Sequence, residues 1–233
     1  MLIILKKKCK NIIFKDKIFD VLICLDADLP SKRIIEKFKN ILIIAADGAA
    51  IKLFKKNVEP NYIIGDLDTF SKSEMASKEY KSEIIFIPEQ EHNDFEKVLM
   101  FAIEHHYNDV LIFGFHGGVL EHTLNNWSVL LKYSDKINMC IYDKGRYALP
   151  MKKDSFEIIV KKGELISIIP MTEAVLKTQN LKWNLNNELL KIGYREGARN
   201  IAINDKIYIE IIKGAILLFI DARLPFAPEL IAK

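Results

Sequence analysis

Short apolar runs alternate with helix-like segments over the first two-thirds of the chain. Residues 21–25, 41–45 and 110–115 are continuous apolar runs of strand length, whereas residues 94–106 and 123–133 carry apolar side chains at helical spacing. Strands that are apolar at every position are typical of parallel sheets that helices cover on both faces. The pattern therefore predicts an α/β fold, with a mostly parallel sheet and helices on both of its faces.

The alternation stops near residue 143, after which strand-like segments follow one another without long helices between them. This change predicts a second, smaller all-β domain. We place the two domains at residues 1–145 and 146–233, with residues 144–150 as the connection between them.

Charge and cysteine content limit the class of protein. The formal net charge is only +3, from 34 Lys and Arg against 31 Asp and Glu, which argues against a dedicated nucleic-acid binder. The three cysteines are far apart in the chain, so the sequence indicates neither a disulfide framework nor a zinc site. No apolar run approaches the length of a transmembrane helix. We therefore expect a cytoplasmic protein with no nucleic-acid and no membrane partner.

Two carboxylates, Asp66 and Asp68, follow the apolar run 62–64 and a glycine. In an extended backbone residues i and i+2 point to the same side, so these two side chains are predicted to converge. At about 5 Å, with an effective dielectric constant of about 20, the two charges repel by roughly 3 kcal/mol. A Mg²⁺ ion between them would relieve that repulsion. The ordinary alternative is a polar turn that leads into a helix.

Polar or glycine-rich residues follow other predicted strands as well. Asp47-Gly48 ends one strand, Asn93-Asp94 opens a helix after another, and Gly117-Gly118 follows a third. Ligands of open α/β sheets bind beyond the carboxyl ends of the strands, so together these ends predict a Mg²⁺-nucleotide pocket. Taken singly, each has an ordinary alternative, such as helix capping by Asn93 or a flexible glycine turn. The predicted nucleotide-binding residues are Asp47, Gly48, Asn93, Gly117, Gly118, His122 and Thr123.

Four of these segments, in this order and at this spacing, resemble motifs of the thiamine pyrophosphokinase (thiamine diphosphokinase) family. A fifth resembles that family's thiamine-side motif, and the resemblance extends over about residues 21–220. The segments are Ala46-Asp47-Gly48-Ala49, Gly65-Asp66-Leu67-Asp68-Thr69, Asn93-Asp94-Phe95-Glu96-Lys97, Gly114-Phe115-His116-Gly117-Gly118 with Glu121-His122-Thr123-Leu124, and Leu181-Lys182-Trp183-Asn184-Leu185.

The resemblance implies Mg²⁺-dependent transfer of pyrophosphate from ATP to the hydroxyl of thiamine, which gives thiamine diphosphate and AMP. It implies an α/β nucleotide-binding catalytic domain at residues 1–145 and a smaller all-β sandwich that binds thiamine at residues 146–233. It also implies a homodimer with thiamine pockets at the subunit interface. The expected partners are therefore thiamine, ATP and a second copy of the chain.

The resemblance also implies roles for individual residues. Lys97 would neutralise a phosphate oxygen, and either Asp68 or Asp94 would accept the proton of the thiamine hydroxyl. Trp183 and Asn200 would lie on the thiamine side, with Trp183 stacked on the substrate; the ordinary alternative for Trp183 is a position in the core of the β domain. The implied Mg²⁺ ligands are the carboxylates Asp66, Asp68, Asp94 and Asp47.

The chain departs from the family's pattern in several motifs, among them the end of the first strand, where Asp26-Ala27 stands in place of Asn-Gly and adds negative charge near a phosphate site. Val119 and Glu121 stand where the family has arginine and aspartate, and Ala198 and Arg199 stand in a segment where the family has small hydroxyl residues. An arginine is not readily replaced in a phosphate pocket, and Arg199 adds a cation on the side of a cationic substrate. Two alternatives stay open: transfer to a different heterocyclic alcohol, or a catalytically inactive protein that binds nucleotide or thiamine.

Overall fold

The computed structural model describes residues 9–232, and the chain divides into two compact units. One unit comprises residues 18–145, and the other comprises the described residues up to 17 together with those from 146 onwards. The first strand, β1 (Lys10–Ile13), belongs to the second of these units. Residues 1–8 and 233 of the two predicted domains lie outside the described residues.

The unit of residues 18–145 is built on one sheet of six strands. The strands are β2 (Val21–Cys24), β3 (Leu42–Ala46), β4 (Tyr62–Gly65), β5 (Glu83–Phe86), β6 (Asp109–Phe113) and β7 (Asn138–Asp143). Their order is β7-β6-β2-β3-β4-β5, and all neighbouring strands run parallel. Every residue of β2 and β6 is buried. Because successive side chains point to opposite faces, both faces of the central strands are covered.

The strand order reverses at β2, and this places the site. The chain proceeds from β2 through β3 and β4 to β5 on one side, whereas β6 and β7 lie on the other side of β2. In parallel α/β sheets, a crevice opens at the carboxyl ends of the two strands that flank such a reversal, here β2 and β6. Residues that follow β2, β3, β4 and β6 can therefore meet at one edge of the sheet.

Four α-helices connect these strands. They are α1 (Lys32–Ile35), which continues into a 3-10 turn at Glu36–Phe38, α2 (Ala49–Lys55), α3 (Asp94–Glu104) and α4 (Leu120–Tyr133). Helix α3 buries the apolar residues that its spacing predicts, among them Phe95, Val98 and Leu99. Helix α4 begins at Leu120, about one turn before the predicted start at residue 123. Among the described residues, no helix has both the length and the apolar character needed to cross a membrane.

The second unit contains strands and, over described residues 146–232, no helix. Its long strands β10 and β13 pair antiparallel, β13 also pairs with β8 and β9, and β10 also pairs with β11 and β12. Glycine at position 214, with φ +83°, lets β13 run continuously through an irregularity in this ladder. The strands are β8 (Arg146–Lys152), β9 (Ser155–Ile159), β10 (Leu165–Gln179), β11 (Asn186–Lys191), β12 (Gly197–Ile201), β13 (Lys206–Asp221) and β14 (Glu229–Ala232).

Two assignments made from sequence differ from the structure. The predicted connection at residues 144–150 is largely strand β8, which pairs with β13 along its whole length. Strand β1 pairs with β9 and β14, so described residues 9–17 belong with the second unit and not with the first predicted domain. Both differences depend on pairing between residues that are distant in sequence, which local apolar patterns do not reveal.

Candidate functional site

Three carboxylates come together at the carboxyl edge of the parallel sheet. Asp47 directly follows β3, Asp66 directly follows β4, and Asp94 is the first residue of α3. Each offers an oxygen, and these oxygens lie within 4.8 Å of one another. We call Asp47, Asp66 and Asp94 the carboxylate group. Oxygen ligands of this kind suit a hard divalent cation such as Mg²⁺.

Asp47 fixes the geometry of the carboxylate group. Its side chain is buried, and its two oxygens accept the backbone N–H groups of Thr69, at 3.0 Å, and Phe70, at 2.9 Å. Its φ of +36° is uncommon for a residue other than glycine, although aspartate tolerates this region better than most residues do. The aspartate that ends β3 therefore holds the loop that follows the neighbouring strand β4.

Asp66 is held by a residue that the sequence analysis did not identify. Gln90 donates a hydrogen bond from Nε2 to Asp66 Oδ2 at 2.9 Å, and the backbone N–H of Asp68 donates to Asp66 Oδ1 at 3.2 Å. The Gln90 hydrogen bond is the principal cause that lowers the pKa of Asp66. A glutamine in a polar loop carries no sequence signal of its own, so only its position in the loop after β5, the strand that pairs with β4, reveals this role.

Asp94 has the opposite electrostatic environment. Burial, followed by repulsion from Asp66 and Asp47, raises the pKa of Asp94 to about 6. Lys97 partly offsets this repulsion, with Nζ 3.8 Å from Asp94 Oδ1 and a side chain only 2% exposed. The carboxylate group therefore carries charge repulsion that a bound cation would relieve.

The structure does not bring Asp68 into the carboxylate group. Its side chain is 76% exposed, and the nearest cation is Lys72, with Nζ 3.9 Å from Asp68 Oδ1. The backbone between the two aspartates is not extended, because Leu67 has φ +59°. A left-handed residue between positions i and i+2 turns their side chains apart, so the convergence expected for an extended backbone does not form.

A cavity of about 180 Å³ opens beside the carboxylate group. It is lined by Asp94 and by the predicted nucleotide-binding residues Asn93, Gly117 and His122. Asn93 also caps α3, with Oδ1 accepting the N–H of Glu96 at 2.8 Å, so its capping and lining roles coexist. Asp26, Asn125 and Asn126 complete the polar lining and were not among the predicted site residues.

The remaining predicted residues of this region lie near the cavity without lining it. Gly118 precedes α4, and Thr123 lies in the first turn of that helix. The side chains of Asp26 and Thr69 cover Gly48. A Cβ at this position would overlap the Asp26 carboxylate and lie 2.9 Å from Thr69 Cγ2. The close approach at position 48 is therefore made by side chains and not by the backbone.

In the second unit, Trp183 and Asn200 are directly connected. The buried side chain of Asn200 accepts the N–H of Trp183 at 3.1 Å and donates to the Trp183 carbonyl at 2.7 Å. The indole is 56% exposed, so Trp183 is not a core residue. Lys182 places Nζ 4.7 Å from the centroid of the Trp183 ring. The result is a rigid backbone that presents an aromatic face to solvent.

Comparison with known proteins agrees with this arrangement. Residues 35–142 match the family model described as the thiamin pyrophosphokinase catalytic domain, and residues 153–216 match the model described as the thiamin pyrophosphokinase vitamin B1 binding domain. The chain belongs to the thiamine pyrophosphokinase family. Members of this family are enzymes, and the two matched segments fall one in each compact unit.

Individual relatives of the family share the fold over most of the chain. A thiamine pyrophosphokinase of Bacillus subtilis is 24% identical over 186 residues, which are 77% of this chain and 87% of that protein. The crystal structure of yeast thiamin pyrophosphokinase has a TM-score of 0.74 at 20% identity and covers 89% of this chain and 87% of its own. The Candida albicans structure has a TM-score of 0.71 at 17% identity, covering 91% and 98%.

Replacing Asp47 by alanine should destabilise the protein by roughly 3 kcal/mol, because two backbone N–H groups, one of them buried, lose a charged acceptor. Urea unfolding in the absence of divalent ions measures the change. The matched variant Asp68→Ala removes an exposed carboxylate from the same loop region and should change stability by less than about 0.5 kcal/mol. Equal effects of the two substitutions would contradict the anchoring role of Asp47.

The affinity of the carboxylate group for Mg²⁺ should rise with pH. A pKa of about 6 at Asp94 means that this ligand is mostly protonated at pH 5 and mostly ionised at pH 7, whereas the lowered pKa of Asp66 keeps that ligand ionised throughout. Because the metal binds the ionised carboxylate, affinity should increase about tenfold from pH 5 to pH 7.

Titration calorimetry with Mg²⁺ across this pH range measures the dependence. The Asp94→Asn variant should bind more weakly and lose most of the pH dependence. A wild-type affinity that stays constant from pH 5 to pH 7 would show that Asp94 does not limit metal binding.

Proposed function

We propose that this chain transfers pyrophosphate from ATP to the hydroxyl of thiamine, giving thiamine diphosphate and AMP, with Mg²⁺ as the cofactor. The observation that carries the proposal is the carboxylate group beside a polar cavity, at the reversal point of a parallel sheet, in a member of this family. Positioning and neutralisation of charge supply most of the catalysis in phosphoryl transfer, and this arrangement offers both.

The carboxylate group fits a magnesium ion. Its three donors are all oxygens, and the raised pKa of Asp94 reflects burial and, after it, repulsion from Asp66 and Asp47, which a cation would relieve. Asp47, Asp66 and Asp94 would hold the ion, which when bound neutralises charge on the phosphates of ATP. The two backbone donors on Asp47 keep that carboxylate in place without a ligand, so this part of the site is preorganised.

Two further residues are assigned by their surroundings. Asp68 lies outside the carboxylate group and is exposed, so we assign it as the acceptor of the proton from the attacking hydroxyl, in preference to Asp94. Lys97 pairs with Asp94 in the structure, and we assign to it the neutralisation of a phosphate oxygen when the nucleotide is bound. Neither role requires a covalent intermediate.

The nucleotide would occupy the cavity lined by Asn93, Gly117 and His122. Helix α4 starts at the edge of this cavity, and its N-cap residue, Val119, has no side chain that can accept from the first N–H groups. Unsatisfied N–H groups at a helix N-terminus favour an anion. We therefore assign the phosphates to this edge, with Gly118 and Thr123 beside it.

The second unit would provide the thiamine side, as a small β-sandwich. The exposed face of Trp183 suits a flat cationic substrate, and stacking of this kind contributes roughly 1–3 kcal/mol by analogy with nucleobases on aromatic side chains. Asn200 would act by holding the Trp183 backbone. Two cations are nearby: Lys182 lies over the Trp183 ring, and Arg199 is the sequence neighbour of Asn200. They favour, as a second candidate function, transfer to a heterocyclic alcohol less cationic than thiamine.

We also propose a homodimer in which the thiamine pocket forms at the subunit interface, with the Trp183 face contributed by the second copy. Light scattering on the purified protein should then give twice the 26.9 kDa mass of one chain. A mass equal to that of one chain at the concentrations used for activity assays would contradict this proposal.

Purified protein with ATP, Mg²⁺ and thiamine should release AMP and thiamine diphosphate in equal amounts. Asp66→Ala should lower kcat at least about a hundredfold, because the cation that neutralises the phosphates loses a ligand. The control variant Glu79→Ala removes an exposed carboxylate from the same unit and should retain full activity.

Other outcomes of this assay are equally decisive. Release of AMP with a different heterocyclic alcohol, but not with thiamine, would favour the second candidate function. Tight binding of nucleotide without turnover of any acceptor would identify an inactive binding protein. Full activity of Asp66→Ala would remove the carboxylate group from the mechanism.

A further inference from the structure

Asp26 lies at the point where the strand order reverses, and it lines the cavity that we assign to the nucleotide. It is the second residue after β2, and its Oδ1 lies 2.7 Å from Nζ of Lys52 on α2. The same Lys52 ammonium donates to the carbonyl of Ala27 at 3.1 Å. Lys52 therefore holds both the carboxylate and the backbone of the turn after β2.

The second oxygen of Asp26 has no such partner. Oδ2 lies against Gly48, at a place where an added Cβ would overlap it, and none of the residues from 9 to 232 donates a hydrogen bond to it. One oxygen of this carboxylate is thus held by an ion pair, and the other, in a side chain that is 43% exposed, can accept a hydrogen bond at the cavity wall. A ligand that meets it must bring a hydrogen-bond donor.

A nucleotide offers donors at its sugar hydroxyls and at its base, whereas its phosphates are anions that a carboxylate repels. Gly48, which lies against Oδ2 of Asp26, is the neighbour of Asp47 in the chain, and adjacent Cα atoms are only about 3.8 Å apart. Asp26 is therefore close to the carboxylate group that would hold the metal and the phosphates. The part of a nucleotide adjacent to its phosphates is the sugar, and the base lies farther away.

We infer that Asp26, held by Lys52, accepts a hydrogen bond from a sugar hydroxyl of the nucleotide and selects ribonucleotides over deoxynucleotides. The inference rests on the proposed function, in that it assumes a nucleotide in this cavity, but it does not depend on the identity of the acceptor. The inference also explains how the negative charge of Asp26 is tolerated near the phosphate site. Lys52 balances this charge, and the other carboxylate oxygen faces a neutral hydroxyl.

Binding of AMP, 2′-deoxy-AMP and 3′-deoxy-AMP, measured by calorimetry with Mg²⁺ and without thiamine, tests this inference. The wild-type protein should bind AMP at least about tenfold more tightly than one of the two deoxy compounds, as expected for loss of a hydroxyl from a charged acceptor. In Asp26→Ala the three affinities should agree within about twofold. Asp26→Asn, which keeps the shape of the side chain, should show an intermediate preference.

Lys52→Met should weaken AMP binding and reduce the preference, because Asp26 loses its anchor and its counter-charge. Lys55→Met, on the same helix, removes a lysine for which the described residues show no ion pair and should change neither quantity. Equal wild-type affinities for all three nucleotides, or a preference that persists in Asp26→Ala, would overturn the inference while leaving nucleotide binding established. Absence of AMP binding would overturn both this inference and the proposed nucleotide site, whereas AMP binding without turnover of thiamine would affect the proposed acceptor alone.

Discussion

The two hydrogen bonds to the Asp47 carboxylate are the contacts on which the geometry of the site depends. A carboxylate at a buried strand end is costly unless donors compensate its charge. Here the donors are backbone N–H groups of Thr69 and Phe70, in the loop that begins with Asp66. One interaction therefore compensates a buried charge and also fixes the residue that follows the neighbouring strand. Parallel pairing of β3 and β4 brings the two strand ends together, and Asp47 converts that proximity into a defined arrangement.

Charge at this edge of the sheet is compensated to a different extent at each carboxylate. Asp26 has Lys52, Asp66 has the neutral donor Gln90, and Asp94 has the more distant ammonium of Lys97 together with the backbone N–H of Asp66. The pKa of Asp66 is therefore lowered and that of Asp94 raised although the two carboxylates are neighbours, and Asp94 is the one that a metal ion would affect most. Preorganised acceptors of this kind need little rearrangement when a charged ligand arrives, which is how electrostatic catalysis gains its efficiency.

The parallel sheet could be predicted from sequence, because strands buried on both faces are apolar at every position, as at residues 21–25. The location of polar residues at strand ends could be predicted for the same reason. The divergence of Asp66 and Asp68 could not, because it depends on the left-handed backbone of Leu67, and leucine gives no sign of that conformation. The hydrogen bond from Gln90 and the pairing of β1 with β14 could not be predicted either. Both are contacts between segments that are far apart in the sequence, and local sequence patterns do not show which distant segments meet.

The exposed position of Trp183 has a practical consequence for spectroscopy. The chain has two tryptophans, Trp127 in α4 of the first unit and Trp183 in the second. Each compact unit thus carries its own intrinsic fluorophore, one within a helix and one facing solvent. With either tryptophan replaced by phenylalanine, the emission of the other reports on a single unit. The order in which the two units melt, and whether they melt together, can then be followed without any external label.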